Sequence, residues 1–143
     1  MVPKVKNSGN SEIYLKKKPE DLLIPLNIFE QRPLTILESL VLYLRDKEQL
    51  KFLQISKLLN RERRNIKKAY ANANLKKTEE AKISAKAVPV SIFSNTKLSP
   101  TESLVSHLKE KLSLTYHEIA VLLSRNDRTI WTVYSRSRKK NVK

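Results

Sequence analysis

The chain contains no cysteine and a single glycine, Gly9. Without thiols it can form no disulfide framework, no Cys-ligated zinc site and no thiol nucleophile. Without glycine-rich turns it has neither a P-loop nor a dinucleotide fingerprint, because both need backbone that approaches phosphate closely. The two histidines, His107 and His117, are ten residues apart, so one helical face cannot offer both to a metal. No apolar run approaches the ~18 residues of a membrane span, and no signal-peptide core follows Met1. A nucleophile–base–acid set and a metal cluster are both missing. The expected function is therefore not enzymatic, with no cofactor, and the expected compartment is the cytoplasm, in association with the nucleoid.

What is abundant is positive charge. Of 143 residues, 29 are Lys or Arg against 14 acids, a net charge of +15. Such an excess points to a polyanion: DNA, RNA or an acidic membrane surface. Hydrophobic residues make up 40% of the chain, enough for a core, so the whole is not a basic disordered tail. The length allows one average domain or two very small ones.

The chain also repeats itself. Aligned with itself at an offset of 64 residues, Ile24–Ala73 matches Val88–Ser137 without a gap, with eighteen identities in fifty positions. Pro25, Ile28 and Phe29 match Pro89, Ile92 and Phe93; Glu38 to Val41 match Glu102 to Val105; Arg61, Arg64 and Tyr70 match Arg125, Arg128 and Tyr134. Equal spacing throughout means equal loop lengths, so both units should share one fold.

Apolar residues within each unit recur at helical period. The first stripe is Ile36, Leu37, Leu40, Val41 and Leu44, copied as Leu104, Val105, Leu108 and Leu112. The second is Phe52, Ile55, Leu58 and Leu59, copied as Tyr116, Ile119, Leu122 and Leu123, and the third is Ile66, Ala69, Tyr70 and Ala73, copied as Ile130, Val133, Tyr134 and Ser137. Thr35-x-x-Glu38 and Ser99-x-x-Glu102 read as capping boxes at the first helix, with Pro100 at the first helical position. Each box follows a lead-in, residues 24–29 or 88–93, expected to tuck Ile and Phe under the helices without forming a strand ladder. The fold class is all-α: two tandem three-helix domains at 24–74 and 88–143, after a disordered basic arm at 1–23 and joined by a helical linker at 75–87.

Three short helices with a tight break before a basic third describe a helix-turn-helix unit. Glu118-Ile119-Ala120, Thr129-Ile130 and Ser135-Arg136-Ser137-Arg138-Lys139-Lys140 resemble region four of bacterial sigma factors and the LuxR-type module. The resemblance covers about 45 residues of unit two, from Leu98 on, and reaches unit one only through the repeat. At the turn the chain departs from the family, with Asn60 and Ser124 where glycine is usual and Arg61 and Arg125 where an apolar residue is usual.

The resemblance implies a sequence-specific double-stranded DNA-binding protein, a transcription regulator, with two third helices in major grooves. The candidate contacts are Arg63, Arg64, Lys67 and Lys68 in unit one, and Asn126, Asp127, Arg128, Trp131, Thr132, Ser135, Arg136, Arg138 and Lys139 in unit two. Arg128 suits guanine O6/N7, Asp127 suits cytosine N4, and the Thr132 methyl suits thymine. Arg136, Arg138, Lys139 and Lys140 suit phosphates. Two of these have structural alternatives, Asn126 as a helix N-cap and Asp127 as a partner of the helix dipole. Trp131 has three: wedging against bases, docking on unit one, or docking on another protein. Tyr70 and Tyr134 are expected in the core, Glu118 as a structural brace, and both histidines exposed on helices. Double-stranded DNA is the expected partner, with the transcription machinery as a further one and no membrane. The chain is expected to bind as a monomer, because it already carries two units. Repetition along the chain suggests a direct-repeat site unless packing reorients the units. The alternative function is an RNA- or ribosome-associated binding protein.

Overall fold

The computed structural model describes residues 19–30, 33–76 and 86–141. The structure is mainly helical, with a small two-stranded sheet, in agreement with the all-α expectation. Unit one runs through strand β1 (Leu23–Pro25), a 3-10 turn (Leu26–Glu30), α1 (Ile36–Asp46), α2 (Phe52–Leu59) and α3 (Arg63–Leu75). Unit two repeats the series as β2 (Ala87–Pro89), a 3-10 turn (Val90–Ser94), α4 (Pro100–Glu110), α5 (Tyr116–Leu123) and α6 (Asp127–Asn141). Every element starts 64 residues after its counterpart.

Local chemistry sets these boundaries. At the start of α1, Glu38 N–H donates to Thr35 Oγ1 and Thr35 N–H donates to Glu38 Oε1, both at 3.1 Å. Ser99 and Glu102 repeat the pattern at α4, and Thr115 and Glu118 at α5. At α2 only half of it is possible: Gln54 Oε1 accepts from Lys51 N–H at 2.8 Å, but the Lys51 ammonium cannot accept in return. The second helices end at Asn60 (φ 57°) and Ser124 (φ 54°), both left-handed. Gln49 and Ser113, another equivalent pair, take the same conformation between first and second helices. Left-handed backbone costs a residue with a Cβ roughly 1–2 kcal/mol, which the packed helices on either side must offset.

Several expectations are corrected. The lead-ins do pair as strands: β1 runs antiparallel to β2, with Ile24 opposite Val88. Pro19–Asp21 forms a 3-10 turn and Leu23 begins β1, so the basic arm does not extend to residue 23. Leu75 still belongs to α3 and Ala87 to β2, which shortens the expected linker; its remainder at 77–85, like the arm at 1–18, lies outside the described residues. Leu112 follows α4 instead of extending its stripe and is 46% exposed.

The contacts between the units fix how the two are related, which repetition along the chain leaves open. Ile24 and Val88 are each other's repeat equivalents, and they pair face to face. Leu26 N–H donates to Lys86 O and Val90 N–H to Leu22 O, both at 2.9 Å, a reciprocal pair under the same offset. Phe29 and Phe93, also equivalents, have ring centroids 5.9 Å apart. Arg61 Nη2 donates to Leu98 O at 3.2 Å, and Arg125 Nη2 to Leu34 O at 3.3 Å. When i meets j and j meets i, the contact is isologous, as in a two-fold dimer. The repeat is therefore folded about a pseudo-two-fold axis through the β1–β2 pair, and not laid head to tail.

The lead-in turns also cross over. Leu26–Glu30 packs on α5 of unit two, and Val90–Ser94 packs on α2 of unit one, while each also packs on its own first helix. One hydrophobic cluster consequently contains Phe29, Leu40 and Ile55 together with Phe93, Leu104 and Ile119.

Candidate nucleic-acid interface

The third helix of each unit is anchored on its inner side. Ile66, Ala69 and Ala73 are buried in α3; Ile130, Tyr134 and Ser137 are buried in α6. Two polar clamps tie each helix to the first helix of its unit. Tyr70 Oη donates to Asp46 at 2.8 Å, and Tyr134 Oη to Glu110 at 3.0 Å. Lys76 meets the buried Glu38 carboxylate at 3.0 Å, and Lys140 meets that of Glu102 at 2.7 Å. Burial pushes the Glu102 pKa up, but Lys140 and the Ser99 N–H outweigh it and hold the carboxyl below the usual range. Lys140, expected at phosphate, is thus engaged in holding α6.

With the inner side fixed, the outer side follows from helical period. Arg63, Arg64, Lys67 and Lys68 are all exposed on the first two turns of α3. Lys67 Nζ lies 5.9 Å from the centre of the Phe52 ring, leaning back toward α2. In α6, Asp127, Arg128, Trp131, Arg136, Arg138 and Lys139 are exposed, and Thr132 and Ser135 are half-buried. Residues 127, 128, 131, 132, 135 and 136 follow the three-and-four spacing of one helix face. Arg138 stands apart, with its guanidinium 6.0 Å from the Tyr134 ring centre. Trp131 is 55% exposed, a large apolar ring on an otherwise polar face.

Asn126 and Asp127 both have intramolecular partners. Asn126 Oδ1 accepts from Thr129 N–H at 2.8 Å, the N-cap arrangement. Asp127 Oδ1 lies 3.1 Å from His117 Nδ1, and since a carboxylate only accepts, the ring nitrogen donates. This pair fastens the start of α6 to α5 while leaving other carboxylate lone pairs open to solvent. Glu118 behaves as the expected brace: the Thr115 N–H and hydroxyl hold its carboxyl below the usual range. His107 departs from the expected exposure. It is half-buried, and burial followed by the charge of Lys111 pushes its pKa down.

Two further cations escaped the sequence analysis. Arg45 Cζ lies 4.6 Å from the Phe52 ring centre, and its equivalent Lys109 Nζ lies 4.5 Å from that of Tyr116. Each sits late in a first helix and is steered by an aromatic residue at the start of the second. The signal was present as a shared cation at one repeat position and a shared aromatic seven residues on.

Among the described residues no group of three or more His, Asp or Glu side chains is placed to hold a metal, and no helix is long and apolar enough to cross a membrane. Comparison with protein-family models, curated proteins and solved structures finds no match.

Proposed function

We propose that the protein is a sequence-specific double-stranded DNA-binding protein, a transcription regulator with two helix-turn-helix units in one chain. In this reading α2–α3 and α5–α6 are the helix-turn-helix pairs, and α3 and α6 are the recognition helices. The observation that carries it is a shared one: in both units the helix after the left-handed turn is locked on its inner side and offers cations on its outer side. A major groove admits such a helix, with its N-terminal residues at base edges.

The pseudo-two-fold arrangement supports an inverted bipartite site in place of a direct repeat. Two-fold helix-turn-helix dimers meet half-sites about 34–36 Å apart on one DNA face. Here both halves belong to one chain, so a monomer suffices. The working location is the nucleoid, with the transcription machinery as a further partner.

Anisotropy titration of duplex DNA across salt concentrations tests the reading. If the two helices and flanking cations neutralise about 6–8 phosphates, log K falls against log salt with a slope near −6. A slope near zero, or displacement of the duplex by an equal concentration of structured RNA, would refute it.

A further inference from the structure

We infer that the chain binds DNA in one direction only, on a site whose halves are inverted in geometry but unequal in sequence. Unit two takes a specified half-site and unit one a sequence-tolerant half. The inference rests on the duplex-DNA reading above.

A two-fold homodimer shows the same surface twice, so a symmetric site suits it and neither direction is preferred. This chain matches its halves in backbone and differs in the faces they present. Arg63, Lys67 and Lys68 in unit one stand where unit two has Asp127, Trp131 and Thr132, while Arg64 and Arg128 match. All are exposed except the half-buried Thr132. An ammonium is a point charge that pairs with phosphate wherever the backbone passes, and such contacts carry no sequence information. Unit one therefore has only its two arginines, Arg63 and Arg64, to read guanine, while its two lysines dock on any duplex and nothing on its face repels a wrong sequence.

Unit two discriminates by what it repels. The Asp127 carboxylate can only accept and is repelled by phosphate, so it sits well only where a donor such as cytosine N4–H₂ faces it. Its contact with His117 at 3.1 Å holds it at the start of α6. Trp131 adds a rigid plane and Thr132 a methyl, which fit some base steps and clash with others. Inverting the chain on the site would place these groups on the unspecified half. The shared core and the reciprocal Arg61 and Arg125 contacts fix the two faces relative to each other, so neither can re-dock independently.

The absence of cysteine makes direction measurable. Lys57→Cys in α2 and Val121→Cys in α5 occupy equivalent exposed positions, beside the two proposed recognition helices. Each is coupled to an iron chelate and bound to duplexes enriched by the native chain from a library with a randomised centre. We expect base preference concentrated in one half of the enriched site. The Lys57→Cys conjugate should cut at one end only and the Val121→Cys conjugate at the opposite end, with about tenfold or greater bias, the discrimination of one good base contact. Carrying Asp127→Arg, Trp131→Lys and Thr132→Lys together should let either conjugate cut both ends. A palindromic enriched site, equal cutting at both ends by the native faces, or bias that survives the triple change overturns the inference and leaves DNA binding standing. Failure to enrich any duplex overturns both.

Discussion

Phe29→Ala removes one ring of the pair on which the two units meet. Phe29 and Phe93 are fully buried, with centroids 5.9 Å apart and planes tilted by 45°. Emptying such a site costs about 3–5 kcal/mol, and loss of the aromatic pair is worth roughly 0.5–1.5 kcal/mol beyond the buried area. Against a total stability on the order of 5–15 kcal/mol, one substitution removes about a fifth or more. The location of the damage is the sharper test. Phe29 belongs to unit one in sequence, but its turn packs on α5 of unit two. The sole tryptophan, Trp131, lies in α6 and reports on unit two. In denaturant titrations followed by far-UV circular dichroism and by Trp131 fluorescence, both signals should move to one common, lower midpoint. Phe93→Ala should do the same, and the double variant should fall short of additivity by about 0.5–1.5 kcal/mol. If Phe29→Ala unfolded part of the helix signal early while the Trp131 transition stayed in place, the interlocked core would be wrong.

Ser124→Gly should raise stability by about 0.5–1 kcal/mol, because Ser124 holds φ 54° where glycine carries no Cβ penalty; a thermal melt checks it, and a lower midpoint would contradict the left-handed cap. Glu102→Gln keeps the capping acceptor and loses the Lys140 ion pair, costing about 1 kcal/mol at neutral pH. The folded Glu102 carboxyl titrates below its unfolded value of ~4.3, so its contribution is complete above that pH and disappears as pH falls through the folded value. Melts at neutral and strongly acidic pH should therefore show the native–variant gap closing in acid, and a constant gap would exclude the ion pair as its source. In competition binding against randomised duplexes, Arg128→Ala should relax preference at one position at a cost of about 1–3 kcal/mol, whereas Lys67→Ala should weaken all sequences alike; an unchanged preference in Arg128→Ala would remove it from the base-reading set.

Much of this architecture is legible in the sequence because the same information is written twice. Thr35/Glu38 and Ser99/Glu102 mark two helix starts, and the apolar stripes that follow face the core, Leu112 excepted. The direction in which the units face is not legible, since a repeat along a chain is the same text whether its copies stack head to tail or fold about an axis. That choice rests on three-residue strands containing Pro25 and Pro89, too short for any alternation of polar and apolar residues to register. Arg61 and Arg125 stand in the sequence as departures from the pattern the chain resembles, yet each reaches a backbone carbonyl of the other unit. His117 and Asp127 meet only because a turn brings α5 against the start of α6.

The distribution of shared polar residues carries one further step. Glu38 and Glu102 cap a helix and receive a lysine from the C-terminal end of the third helix; Tyr70 and Tyr134 clamp that helix to the first; Arg61 and Arg125 cross between units. Each of these pairs is identical in both copies, and each has a partner inside the molecule. On the outer side of α3 and α6, where Lys67 faces Trp131 and Lys68 faces Thr132 in the alignment, identity gives way. Of the first set, only the Arg61 and Arg125 contacts cross between units and are used reciprocally about the axis; the Glu and Tyr pairs hold together the three helices that each unit shares with its copy. Neither kind of contact involves the second set. One chain can thus hold a symmetric frame and two different faces, a combination unavailable to a homodimer, in which any substitution appears on both sides of the axis.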